Sequence, residues 1–157
     1  MGLTQEVQQS YLALVNTGNI RRVMIPAGVV VAIVSDGAAA ANAYAARVAI
    51  VAAAVIADPC WLGGVTILQD TLANADYADL QIGTGTVAVP IVDLAEFSFY
   101  KDVAAGAGVT QFKQSYEMQY AIRIAGAPGL VGRIRKASAA SATGISPKVI
   151  TYTLVGT

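Results

Sequence analysis

The chain has 157 residues, enough for one domain, with ten basic and ten acidic side chains and a formal net charge of zero. It holds no histidine and a single cysteine. That excludes Ser-His and Cys-His nucleophiles, zinc sites built on His or several Cys, and an intrachain disulfide framework.

Zero net charge with scattered Arg and Lys argues against nucleic acid, which demands a basic patch. Charged residues make up 13% of the chain, against a typical ~25% for soluble domains. On a folded surface of about 7,400 Å² they would coat roughly a third at most. The remaining coat is small or apolar, and a lone monomer with such a coat tends to self-associate. Part of this surface is therefore expected to be buried against copies of the chain or another protein.

Residues 1–19 differ from the rest: Gln5, Gln8, Gln9, Asn16 and Asn19 surround a small apolar group at Leu12, Leu14 and Val15. Two readings are open, a mobile terminal arm and an arm that lies across a neighbouring subunit. No basic start followed by an apolar run is present, so no signal peptide is expected. Residues 20–157 read as a single domain.

Strands begin within residues 20–34. Ile25-Pro26-Ala27-Gly28 suits a type I turn, and the β-branched run at 29–34 suits a buried strand. Residues 38–57 are ambiguous, being rich in alanine, the best helix former, yet containing Val48-Ala49-Ile50-Val51. The stretch is apolar, but Asn42 and Arg47 interrupt it and leave too short a run to cross a bilayer. No membrane partner is expected.

Residues 61–69 read as a strand with Val65 and Ile67 on one side and Thr66 on the other. Gly63-Gly64 marks a bulge or a close backbone approach. Residues 77–82 alternate, with Leu80 and Ile82 in and Asp79 and Gln81 out. Residues 86–100 give one or two strands broken at Pro90, with Phe97 and Phe99 inward and Glu96 and Ser98 outward.

The strongest pattern runs from Phe112 to Lys136. Phe112, Tyr116, Met118, Tyr120, Ile122 and Ile124 alternate with Lys113, Ser115, Glu117, Gln119 and Arg123. One side of this strand is expected to be buried and the other wet. Ala125-Gly126-Ala127-Pro128-Gly129 carries a type II turn signal, with the positive φ assigned to Gly129. Leu130 to Lys136 returns as the second strand of a β-hairpin, with Arg133 and Arg135 outward. Residues 137–147 read as a loop, and residues 148–155 as a closing strand with Ile150, Tyr152 and Leu154 on one face.

Eight to ten strands with short turns indicate an all-β fold, an antiparallel β-sandwich of jelly-roll type with an extended N-terminal arm.

Chemistry has few footholds. Asp70, Asp76 and Asp79 could share a calcium ion, although Asp beside Asn74 is ordinary turn chemistry. Glu96 and Glu117 would form an acid/base pair only if the fold brought them together. Gly83-Thr84-Gly85 lacks the helix and Lys of a phosphate loop. Cys60, between Pro59 and Trp61, reads as a buried thiol. Arg123, Arg133, Arg135 and Lys136 are read on one outer face, either solvated or meeting an acidic partner. Tyr11, Tyr44, Trp61, Tyr77 and Tyr100 could stack on sugars or serve packing. No catalytic residue, metal ligand or cofactor site is assigned.

Two segments resemble small structural proteins of tailed bacteriophages: Trp61-Leu62-Gly63-Gly64-Val65-Thr66-Ile67, and Ala75-Asp76-Tyr77-Ala78-Asp79-Leu80-Gln81-Ile82-Gly83-Thr84-Gly85. So does Ile122-Arg123-Ile124, leading through a glycine turn into Gly132-Arg133-Ile134-Arg135. The likeness spans about residues 20–155 and is most similar to capsid decoration (cement) proteins of jelly-roll form. It implies a homotrimer, made in the host cytoplasm, that sits on the virion exterior and binds the major capsid protein. It supplies no catalytic residues. With it, the partner interface is expected at Leu12, Leu14, Val15, Arg123, Arg133 and Arg135. The alternative is a receptor- or carbohydrate-binding module of a phage fibre or spike, acting through exposed aromatics.

Overall fold

The computed structural model describes residues 18–26, 34–35, 40–53, 55–56, 58–70, 76–85, 92–101, 114–126, 129–137 and 144–154. These form β1 (Ile20–Ile25), β2 (Val34–Ser35), β3 (Val48–Val51), β4 (Cys60–Asp70), β5 (Asp76–Thr84), β6 (Val92–Lys101), β7 (Gln114–Ile124), β8 (Leu130–Lys136) and β9 (Gly144–Leu154). Every ladder is antiparallel. The first sheet has the order β1-β9-β4-β7, with β2 on the far end of β9; the second has the order β3-β8-β5-β6. Among the described residues there is no helix, and so none long and apolar enough to cross a membrane.

The pairing is nested. β1 and β2 pair β9, β3 pairs β8, β4 pairs β7, and β5 pairs β6. Successive pairs alternate between the two sheets, so the chain behaves as one long ribbon folded over a core.

Alternation explains what fills that core. Leu62, Val65 and Ile67 of β4, Val149 of β9 and Ile124 of β7 face Leu80 and Ile82 of β5, Phe97 and Phe99 of β6, and Ile134 of β8. Phe99 meets Tyr116 edge-on at 5.0 Å between ring centroids, joining the second sheet to the first. Burying each of the larger side chains contributes about 1.5–3 kcal/mol. The expected all-β sandwich is what forms.

The alanine-rich stretch resolves as strand at Val48–Val51, with no helix in its described part. Tertiary pairing outweighs alanine's helical preference here. Asn42 N–H donates to Lys136 O (2.8 Å) and Ala45 N–H to Ile134 O (3.0 Å), tying this segment to β8 before the strand proper begins.

Gly63-Gly64 is both a bulge and a close approach. The register of β4 shifts between Leu62 and Gly64 against both neighbours. Inward positions move from Cys60 and Leu62 to Val65 and Ile67, an inversion that one extra residue produces. A Cβ on Gly64 would lie 2.0 Å from the Tyr116 carbonyl oxygen, and one on Gly63 would lie 2.0 Å from the Tyr152 ring.

The structure corrects several expectations. The two strands joined through residues 125–129 are not a hairpin. β7 pairs β4 in the first sheet, while β8 pairs β3 and β5 in the second. A chain reversal can lay its strands side by side or across a core. Here Ile124 and Leu130 both reach full burial by facing each other's sheet. Within this link Gly126 takes the positive φ, at 73°. Gly129 is needed for closeness instead, because its Cβ would lie 2.8 Å from the Gly85 carbonyl oxygen.

Tyr120 is exposed, not buried. On β7 the register runs from Ile122 to Glu117 while β4 advances only from Leu62 to Gly64, and the surplus residues turn Tyr120 outward. Phe112 lies outside the described residues.

The closing strand starts earlier than the loop reading allowed, at Gly144. Its Pro147 pairs Ile67 of β4 on one side; on the other it falls between β1, which ends opposite Val149, and β2, which begins opposite Ile145. A residue without an N–H is tolerated where no ladder asks for one. Ile150, Tyr152 and Leu154 share one face of β9 by alternation, opposite Val149 and Thr151, and Ile150 is fully buried there.

Candidate functional site

The most organised polar surface is the outer face of the second sheet. Leu130, Gly132 and Ile134 turn inward on β8, so Arg133 and Arg135 must turn outward. The same rule sends Asp79 and Gln81 out from β5, and Glu96 and Ser98 out from β6. Register then decides who meets whom: Asp79 stands opposite both Ser98 and Arg135, and Gln81 opposite Arg133.

Each of these cross-strand pairs is bonded. Arg135 donates to Asp79 Oδ2 from Nη2 (2.7 Å) and Nε (3.1 Å), and from Nη2 to Glu96 Oε1 (3.2 Å). Ser98 Oγ donates to Asp79 Oδ1 (2.7 Å), and Arg133 Nε to Gln81 Oε1 (2.7 Å). Arg47 Nη1 sits 2.7 Å from Asp93 Oδ1, close enough for an ion pair though not aligned as a hydrogen bond. Such pairs are individually worth about 0.2–1 kcal/mol on a sheet face.

Tyr44 closes the cluster. Asn42, at a φ of 61°, turns the chain just before it. The Tyr44 ring lies under the guanidinium groups of Arg133 (4.4 Å) and Arg135 (4.8 Å), and its hydroxyl donates to Glu96. Burial first, and then the Glu96 hydrogen bond, push the phenol from 10.0 up to about 12. The Asp79 hydrogen bond likewise raises Arg135 and keeps it charged. For Tyr44 the fold favours the neutral phenol. That contribution is whole below pH 10 and fades as pH rises towards 12. A phenolate-absorbance titration of the wild type minus Tyr44→Phe should therefore show a midpoint near 12; a midpoint near 10 would remove the Glu96 contact from the account.

The other expected sites scatter. Arg123 stands on the outer face of the first sheet, 5.5 Å from the Trp61 ring and 3.3 Å from Asp58 Oδ1, not beside Arg133 and Arg135. Its strand joined the opposite sheet, which sequence alternation does not specify. Lys136, expected outside, is buried. Leu12, Leu14, Val15 and Tyr11 lie outside the described residues. Glu117 pairs with Arg22 (2.6 Å) on the first sheet's outer face, so it and Glu96 lie on opposite sides of the sandwich. Both carboxylate oxygens of Asp79 are taken by Ser98 and Arg135, and no metal-ligand cluster occurs among the described residues.

Cys60 is buried as expected, and burial pushes its thiol up. It lines a cleft of about 110 Å³ with Val23, Ile25, Ile56 and Thr151. Tyr77 and Tyr100 pair across β5 and β6 at 4.5 Å between centroids, and both are exposed.

Sequence reading missed Arg47, Tyr44 and Asp93 as members of a cluster. Alternation marks the outward residues of a strand, but only register and the path of residues 40–47 unite them. Taken together, Asp58, Asp79, Asp93, Glu96 and Glu117 are each matched by an arginine. Each of these pairs holds its donors and acceptors in a fixed arrangement. No protein-family model, curated protein or solved structure matches this chain.

Proposed function

We propose that the chain is a non-enzymatic structural protein of a tailed-phage virion, which oligomerises and binds the outer capsid surface as a decoration protein. The observation that carries this reading is the state of its charge. Among the described residues, Asp58, Asp79, Asp93, Glu96 and Glu117 are each spent on an internal pair with an arginine, as between Arg135 and Asp79 or Arg22 and Glu117. The broad, weakly charged remainder is suited to contact with protein. The nested strand pairing supports a jelly-roll form, in which eight strands fold over as two Greek keys. Glu96 and Glu117 on opposite faces support a role without carboxylate catalysis.

The reading sets the chain on the virion exterior as a homotrimer, bound to the major capsid protein. Arms of residues 1–19 supply one contact zone through Leu12, Leu14 and Val15. Because Arg123, Arg133 and Arg135 are bound to their own carboxylates or to Gln81, they serve the interface only at its rim. Light scattering should return three times the chain's 16.1 kDa mass. A stable monomer at micromolar concentration would overturn the surface argument.

A further inference from the structure

Beyond capsid attachment, and independent of it, the second sheet's outer face carries a feature that protein contact does not explain. Tyr77 and Tyr100 stand opposite one another, 58% and 45% exposed, with their rings tilted by 35°. Tyrosines on a strand face gain by covering one another, yet these two keep about half of their surface in water. The next strongly exposed apolar residue of β6 is Val92, eight positions away or about 27 Å along the strand. Among the described residues of this face the aromatic area is thus small and isolated. A stable protein interface needs about 800 Å² per partner around its anchors.

Among the described residues, the side chains next to the rings along β5 and β6 on this face are polar and held by hydrogen bonds. Asp79 follows Tyr77 by two residues and Ser98 precedes Tyr100 by two, so both lie on the same face about 7 Å away. Ser98 spends its proton on Asp79 and keeps its lone pairs as acceptors. Arg135 uses Nε and Nη2 on Asp79 and Glu96, which fixes the guanidinium plane. An aromatic face beside fixed donors and acceptors matches a pyranose ring, with C–H groups on one face and hydroxyls around its rim. Because Arg135 is already committed to Asp79 and Glu96, the described part of the patch offers no free cation to a phosphate or an acidic sugar and favours a neutral one.

We propose that Tyr77 and Tyr100, with Ser98, Asp79 and Arg135, bind the pyranose rings of a neutral glycan. The test is saturation-transfer NMR and titration with maltohexaose, cellohexaose, chitohexaose and mannohexaose, on the full chain at up to about 5 mM sugar. At least one series should bind with a millimolar or tighter constant. Tyr100→Ala and Tyr77→Ala should each weaken it about tenfold or more, and Ser98→Ala by a few-fold. Tyr120→Ala, on the other sheet, should leave binding unchanged. Tyr100→Leu, which keeps apolar bulk without an aromatic face, covers the case in which the alanine variants do not fold. Absence of binding by all four sugars would overturn the proposal, and so would binding indifferent to Tyr100→Leu. A changed oligomeric mass in Tyr77→Ala without any sugar binding would make the pair a subunit contact instead.

Discussion

Gly64→Ala should destabilise the protein by at least about 3 kcal/mol, enough to abolish a two-state transition in a marginal domain. The added Cβ would lie 2.0 Å from the carbonyl oxygen of Tyr116 and 3.0 Å from Glu117 Cα, and both are backbone atoms of the paired strand. Neither can step aside without opening the β4–β7 ladder, which supplies one whole flank of the first sheet. Gly64 also holds a φ of 157°, which side chains disfavour. Gly63→Ala offers the contrast. Its Cβ would meet the Tyr152 ring at 2.0 Å, and a side chain can swing away. Urea unfolding of both variants should therefore rank Gly64→Ala well below Gly63→Ala. A Gly64→Ala midpoint within about 0.5 kcal/mol of wild type would contradict the bulge.

The behaviour of that glycine pair shows how far the chain's pattern reaches. Alternation at Leu80/Ile82 and Phe97/Phe99 correctly told inside from outside, because each strand has only two faces. Gly-Gly within an apolar strand correctly flagged a bulge, because side chains are excluded where backbones crowd. Neighbour choice was not legible. The reversal at residues 125–129 reads the same whether β8 returns beside β7 or across the core. Only the burial of Ile124 and Leu130 from opposite sheets selects the second. That choice then parted Arg123 from Arg133 and Arg135. Tyr120 turned outward for a related reason, since a register slip on β7 depends on how β4 is laid beside it. The cluster around Tyr44 was hidden for want of register: Asp79, Ser98 and Arg135 are far apart in the chain and adjacent only once β6, β5 and β8 are side by side.

Under the proposed decoration role, loss of residues 1–19 is expected to have the largest effect on attachment to the shell. The carboxylates described, Asp58, Asp79, Asp93, Glu96 and Glu117, are each paired with an arginine and so are not free to bind a partner. Residues 1–19 combine apolar Leu12, Leu14 and Val15 with uncharged amides, a composition that can bury against protein without paying for the desolvation of ions. Since β1 begins only at Ile20, removing them spares every described strand. The shortened chain should keep the urea midpoint of the full one, within about 0.5 kcal/mol, while its shell affinity falls by tenfold or more.

The proposed decoration role is tested most directly by spinning the chain through a cushion with emptied heads of the phage that, on that proposal, encodes it. The full chain should travel down with the shells at saturable stoichiometry, and the shortened chain should stay largely above. A full-length chain that remains in the supernatant at every shell concentration would contradict the account.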